Sequence, residues 1–194
     1  MITKRYKEKV TTGKSHWSKR GSPINSYLKS IKAHFGKFKG LRLLDAGCAE
    51  GKFTYEFSKK GIKAEGIDYE KKFIALAKAS YPKIKFRPGN IEKLPYRSNS
   101  FDIVFCINTL FYTKASKSLP EIERVLKNGG LGIITLDENI IDLDKGKQIH
   151  KLDIEKTLTL LKKSKIKSRK PRQRLDKEPF KHKHYFYEIV FEKI

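Results

Sequence analysis

Between Leu41 and Asp137, short apolar runs alternate with stretches whose apolar residues recur every three or four positions. A short apolar run bounded by turn formers reads as a buried strand, and the three-to-four spacing reads as an amphipathic helix. The pattern predicts strand 41–46, helix 51–60, strand 63–68, helix 70–79 and a short strand 83–87, then strand 101–107, helix 115–127 and strand 130–137. Such alternation implies a parallel sheet with right-handed crossovers. Gly61 and Gly129-Gly130 stand where two of the helices would close. Upstream, Ile24, Tyr27, Leu28, Ile31 and Phe35 recur at helical spacing after Ser22-Pro23. Downstream of a polar loop at 142–146, a helix over 151–163 would bury Leu152, Leu158 and Leu161. Two strands, 165–170 and 184–192, would follow, joined by a basic turn around Pro171 to Pro179. Residues 1–21 read as a flexible basic arm and 22–194 as a single domain.

The segment Leu43-Leu44-Asp45-Ala46-Gly47-Cys48-Ala49-Glu50-Gly51 joins the first strand to its helix through a turn of small residues. Small residues let backbone approach a ligand closely. A second apolar segment ends in Asp68, and an acid about 20 residues beyond such a turn can grip ribose hydroxyls. An adenosine-containing ligand is therefore expected. A dinucleotide fingerprint needs a third glycine where Lys52 stands. A phosphate-cradling loop needs four residues between its glycines and a hydroxyl after its lysine. Gly47 and Gly51 enclose three, and Phe53 follows Lys52.

The turn resembles instead the first motif of class I S-adenosylmethionine-dependent methyltransferases, and the likeness continues in order along the chain. Glu65-Gly66-Ile67-Asp68-Tyr69-Glu70 resembles the family's second strand, and Gly89-Asn90-Ile91-Glu92-Lys93-Leu94-Pro95-Tyr96 its adenine-side loop. Ser100-Phe101-Asp102-Ile103-Val104-Phe105 resembles its fourth strand, and Arg124-Val125-Leu126-Lys127-Asn128-Gly129-Gly130 the turn into its fifth. The resemblance implies an α/β, doubly wound, mostly parallel seven-stranded sheet with an antiparallel C-terminal strand, a Rossmann-like methyltransferase fold. It also implies S-adenosyl-L-methionine as cofactor. Gly47, Cys48, Ala49 and Gly51 would then shape the turn against the methionine end. Asp45 would order that turn or meet the ligand's ammonium through water. Asp68 would accept from the ribose, or alternatively cap the following helix. Tyr69 would pack on the adenine, and Asn90 and the backbone of Ile91 would read its edge. Ala49, Asn90 and Asn128 depart from the family's commoner glycine, aspartate and proline.

Methyl transfer from a sulfonium needs positioning more than acid–base help, so the catalytic residues stay unassigned. Asn108 and Tyr112, after the fourth strand, are candidates for the acceptor pocket. Thr109 and Leu110 stand where enzymes that methylate base amino groups carry two prolines. Cys106, inside an apolar strand, reads as a small buried hydrophobe rather than a nucleophile. His16 and His34 fall in the region that would lid the site. His182 and His184 share a face of a strand, and with no third ligand evident they read as exposed histidines and not as a metal site.

The net charge of +23 changes the picture of the acceptor. Residues 41–144 hold 17 basic and 14 acidic side chains, against 11 and 1 in residues 1–40 and 16 and 6 in residues 145–194. Codon bias would load core and flanks alike. The uneven loading points to a polyanion such as RNA or a ribonucleoprotein, met by Lys165, Lys167, Arg169, Lys170, Arg172 and Arg174. A small-molecule methyltransferase with an incidental basic surface, and a non-catalytic cofactor-binding protein, are the alternatives. Two widely separated cysteines and the lack of a long apolar stretch suggest a reducing cytoplasm and no membrane span.

Overall fold

The computed structural model describes residues 24–177 and 181–194. The expected basic arm lies outside these residues, as do His16 and the tip of the C-terminal turn. Helix α1 (Ile24–Phe35) is followed by β1 (Arg42–Ala46), α2 (Lys52–Ser58), β2 (Lys63–Asp68), α3 (Lys71–Ser80), β3 (Lys85–Pro88) and β4 (Phe101–Cys106). A single 3-10 turn, Leu110–Tyr112, leads to α4 (Ala115–Val125), β5 (Leu126–Asp142), β6 (Lys147–Lys151), α5 (Ile154–Leu158), β7 (Ser164–Asp176) and β8 (His182–Lys193).

The strands form one sheet in the order β3-β2-β1-β4-β5-β8-β7. β1 to β5 are mutually parallel, and β8 lies antiparallel between β5 and β7. β7 therefore runs the same way as β5 and carries its C-terminal end to the same side of the sheet. Alternation along the strands sends Leu43, Ile103 and Phe105 to one face and Leu44, Val104 and Cys106 to the other. The first face packs on Tyr27, Leu28 and Ile31 of α1 and Phe57 of α2. The second packs on Leu119 and Ile122 of α4 and on Ile154. Burial on both faces explains why these strands are continuous apolar runs.

Several expectations are corrected. Among the described residues the sheet has eight strands, because Lys147–Lys151 pairs antiparallel with Asn139–Asp142. The helix expected over 151–163 is confined to Ile154–Leu158, with Asp153 accepting from the Lys156 N–H at its start. The C-terminal strands are also longer than 165–170 and 184–192, so Pro171, Arg172 and Arg174 belong to a strand and not to a turn. Pro171 is tolerated there because β7 is a sheet edge. Finally, α4 ends at Val125, and Gly129-Gly130 lie within β5 beside an irregularity in its pairing with β4.

Candidate cofactor and acceptor site

The turn after β1 has positive φ at Gly47 (87°), Ala49 (44°) and Gly51 (79°). Its hydrogen bonds are made within the protein. The N–H groups of Gly47 and Cys48 donate to the Ile67 carbonyl at 2.8 and 3.0 Å, and that of Gly51 donates to the Cys48 carbonyl. The Ala49 N–H donates to Oδ2 of Asp68 at 2.9 Å, and the Glu70 N–H donates to Oδ1, also at 2.9 Å. The Asp68 carboxylate is thus clamped between the turn and the start of α3. An ionised carboxylate offers about four acceptor positions, so the group retains capacity for a further donor. Burial raises the Asp68 pKa, against the lowering effect of these N–H groups. Asp68 is not a helix N-cap: α3 begins at Lys71, and Glu70 holds the capping position.

The small residues of the turn serve packing as well as approach. A Cβ on Gly47 would stand 2.3 Å from Oγ1 of Thr109, and one on Gly51 would stand 2.5 Å from the Phe86 ring. The Cys48 side chain belongs to a small cluster with Ile74, Ala77 and Phe86, so it is a core residue. Burial pushes its thiol pKa far up, and does the same for Cys106. Neither is a thiolate nucleophile. Asp45 is buried and accepts from the Thr54 hydroxyl at 2.6 Å. Desolvation, aided by the nearby Asp68 charge, lifts its pKa to about 7.

On the adenine side, Tyr69 is 67% exposed beside Asp68. The Asn90 side-chain oxygen accepts from the Glu92 N–H at 2.8 Å, fixing the loop, while the Ile91 side chain is buried in the core.

The segment after β4 lies against the turn through Thr109 and is held from three directions. Asn108 has φ 56°, its N–H donates to the Thr135 hydroxyl at 2.7 Å, and its Oδ1 accepts from Nη1 of Arg174 at 2.5 Å. Phe111 and Tyr112 pack ring on ring with centroids 3.7 Å apart. Arg174 is therefore part of the site wall and not an outward polyanion contact. Among its basic neighbours on β7, Lys167 pairs with Glu192, Arg169 with Glu155 and Arg172 with Glu188. His34 bonds the Gly129 carbonyl at the opposite, N-terminal end of β5, so it forms no lid.

His182 and His184 are corrected most. Both are buried, and a third side chain, Asp176, meets them from β7. Nδ1 of His184 lies 2.6 Å from Oδ1 of Asp137. Asp137, Asp176, Thr54 and Thr109 were not evident as site residues. Only the two-residue spacing of His182 and His184 signalled part of this cluster.

Residues 44–134 match the family model described as "Methyltransferase domain". This stretch is a methyltransferase domain. Relatives agree: the "Probable methyltransferase ltbC" of Aspergillus luteorubrus is 42% identical over 106 residues, 46% of this chain and 37% of that protein. The demethylmenaquinone methyltransferase of Lactococcus lactis subsp. lactis is 32% identical over 161 residues, 77% of this chain and 62% of that protein. The chain spans less than two thirds of the length of these relatives. In fold, the domain is similar to a SAM-dependent methyltransferase from Methanosarcina mazei (TM-score 0.69, 21% identity, 90% of this chain and 98% of that one). A TehB-like SAM-dependent methyltransferase from Corynebacterium glutamicum is also similar (TM-score 0.67, 16% identity, 100% and 96%). This methyltransferase family and fold imply S-adenosylmethionine as cofactor. The residues present fit it. The clamped Asp68 suits a vicinal diol, and the buried Asp45, with its raised pKa, suits a neighbouring ammonium that would restore its charge.

Proposed function

We propose that the protein transfers the methyl group of S-adenosylmethionine to an acceptor entering over residues 107–112. The cofactor, when bound, supplies an electrophilic methyl on a sulfonium that leaves as a neutral thioether. The chain's contribution is placement. Asp68 would hold the ribose hydroxyls, Asn90 and the main chain at Ile91 the adenine edge, and Asp45 the ammonium through water. Asn108, Phe111 and Tyr112 would border the acceptor, and a methyl group aimed at a fixed acceptor needs no general base when that acceptor is a good nucleophile. The observation that carries the reading is the Asp68 carboxylate, fixed by the Ala49 and Glu70 N–H groups at the C-terminal end of β2, where open α/β sheets bind ligands. Calorimetry with S-adenosylmethionine and its demethylated product tests it. Asp68→Ala should weaken binding about 10- to 100-fold, the worth of hydrogen bonds to a charged group. No binding by the folded wild-type chain would overturn it.

Two acceptor classes follow from different observations. The net charge of +23, concentrated outside residues 41–144, supports RNA or another polyanion. The ion pairs at Lys167, Arg169 and Arg172 support a small acceptor, because those cations already have partners. Among the relatives, a demethylmenaquinone methyltransferase is named for a small molecule. Incubation with labelled cofactor and separated RNA and metabolite fractions decides between them. Transfer to neither fraction, with cofactor binding intact, would favour a non-catalytic binding protein.

A further inference from the structure

The C-terminal hairpin brings Asp176, His182 and His184 together in the interior. Their ligand atoms all lie within 4.8 Å of one another, and the three residues are 2%, 5% and 2% exposed. The arrangement follows from strand geometry. A period of two places His182 and His184 on one face of β8, and the β7 register sets Asp176 directly opposite His182. We propose that these three side chains bind one divalent transition-metal ion of the zinc type, beside the acceptor mouth.

Distances support this. Oδ2 of Asp176 lies 3.4 Å from Nε2 of His184 and 3.8 Å from Nε2 of His182. Charge-assisted hydrogen bonds are shorter, about 2.7–2.9 Å. Two donor atoms that each lie about 2.0–2.1 Å from a tetrahedral ion are about 3.3 Å apart. Both imidazoles converge on the same carboxylate oxygen at a spacing closer to that of co-ligands than to that of a donor and acceptor.

The surroundings match a metal centre as well. Asp137 takes Nδ1 of His184 at 2.6 Å. With Oδ1 of Asp137 as the acceptor in this bond, Nδ1 is the donor and Nε2 faces the cluster. Carboxylate–histidine–metal arrangements orient their imidazoles in this way. The other oxygen of Asp137 is buried without a hydrogen-bond partner, a state that a nearby cation would offset. Nε of Arg174 donates to Oδ2 of Asp176 at 2.9 Å and fixes that carboxylate. The Phe111 ring lies 5.7 Å from the His184 ring and gives the centre an apolar wall. Imidazole and carboxylate donors select zinc and its neighbours over calcium or magnesium. Three protein ligands leave one position for water or another ligand.

The inference is independent of the methyl-transfer reading, because metal uptake is measured without the cofactor. Full-length protein without an affinity tag, stripped by a chelator, is titrated with Zn2+ alone by calorimetry and with Co2+ alone by visible absorption. One ion per chain and the intense Co2+ bands of a low-coordinate site are expected. His182→Ala and His184→Ala should each abolish uptake, and Asp137→Asn should weaken it about 10- to 100-fold, while His34→Ala leaves it unchanged. Circular dichroism checks the folding of each variant. X-ray absorption of the zinc-loaded wild type, which needs no variant, should show imidazole ligation. Absence of uptake by the folded wild type, a shell of water oxygens alone, or wild-type affinity in both folded histidine variants would overturn the proposal and leave the cluster a buried ion-pair network.

Discussion

Arg174, on the edge strand β7, donates through Nη1 to the side-chain oxygen of Asn108, just past β4, at 2.5 Å. The two residues lie 66 positions apart in the chain, and their bond ties the C-terminal hairpin to the segment that borders the acceptor. Asn108 itself sits at φ 56°, a conformation that asparagine and glycine accept more readily than other residues.

This bond should govern turnover more than cofactor affinity. Asn108→Gly removes the acceptor atom and keeps the backbone conformation accessible. Once an acceptor is identified, kcat should fall about 10- to 100-fold, the cost of misplacing a reacting group by about 1 Å. The dissociation constant for the demethylated cofactor, read by calorimetry, should change less than about threefold on the same scale. An equal loss in both quantities would place Asn108 on the cofactor side instead.

Gly47 and Thr109 form a second link between the two halves of the site. A Cβ at Gly47 would overlap Thr109 Oγ1, Cγ2 and Cβ at 2.3, 2.4 and 2.8 Å, and φ is 87°. Gly47→Ala should destabilise the fold by about 1–3 kcal/mol through overpacking and left-handed strain. Thr109→Gly removes all three overlapping atoms, so the double variant should recover the overpacking part and leave the backbone part. Denaturant unfolding of the four proteins gives the coupling energy directly. Additive losses would show that Thr109 is not what restricts Gly47.

Asp45 predicts a particular pH dependence. Its carboxyl is lifted from 3.8 to about 7 by burial, so the folded protein holds a proton that the unfolded chain has released between those values. The associated stability is fully present below about pH 4 and is lost as pH rises to about 7, by at most about 4 kcal/mol. Asp45→Asn lacks that titration, so the difference between wild-type and variant stability should fall over the same pH range. The cofactor's ammonium would favour the ionised form, so binding near pH 7 should release a proton. Calorimetry in buffers of different ionisation enthalpy measures that release, and its absence would separate Asp45 from the ligand.

The parallel half of the sheet was legible because its strands are buried on both faces and written as apolar runs. The turn was legible because its glycines stand at positive φ. β6 was not: Lys147-Gln148-Ile149-His150-Lys151 has one apolar residue, and its strand state comes from antiparallel pairing with Asn139–Asp142 across the turn at 143–146, not from any periodicity of its own. The extension of β7 through Pro171 was hidden for a related reason. Its charged residues pair across the hairpin with Glu188 and Glu192, a relation invisible to local periodicity. The same blindness hid the burial of His182 and His184. Their partners Asp137 and Asp176 come from two other strands, and a histidine flanked by lysines reads as exposed until the register is known.

The charge of β7 yields the last prediction. Of the six cations singled out for binding a polyanion, Lys165 and Lys170 make no ion pair among the described residues, while the other four are paired with carboxylates. Exposed pairs contribute about 0–1 kcal/mol each, so a phosphate backbone could still compete for Lys167 and Arg172, whereas Arg174 is held inside. If RNA is the acceptor, Lys165→Glu with Lys170→Glu should lower RNA affinity and reduce the slope of log affinity against log salt by about 2, roughly one for each phosphate no longer neutralised. Cofactor binding should be unchanged, since neither lysine touches that site. Fluorescence anisotropy with a single-stranded RNA at several salt concentrations reads the slope. A shallow slope in the wild type, unaltered by the double reversal, would remove the polyanion and leave a small molecule as the methyl acceptor.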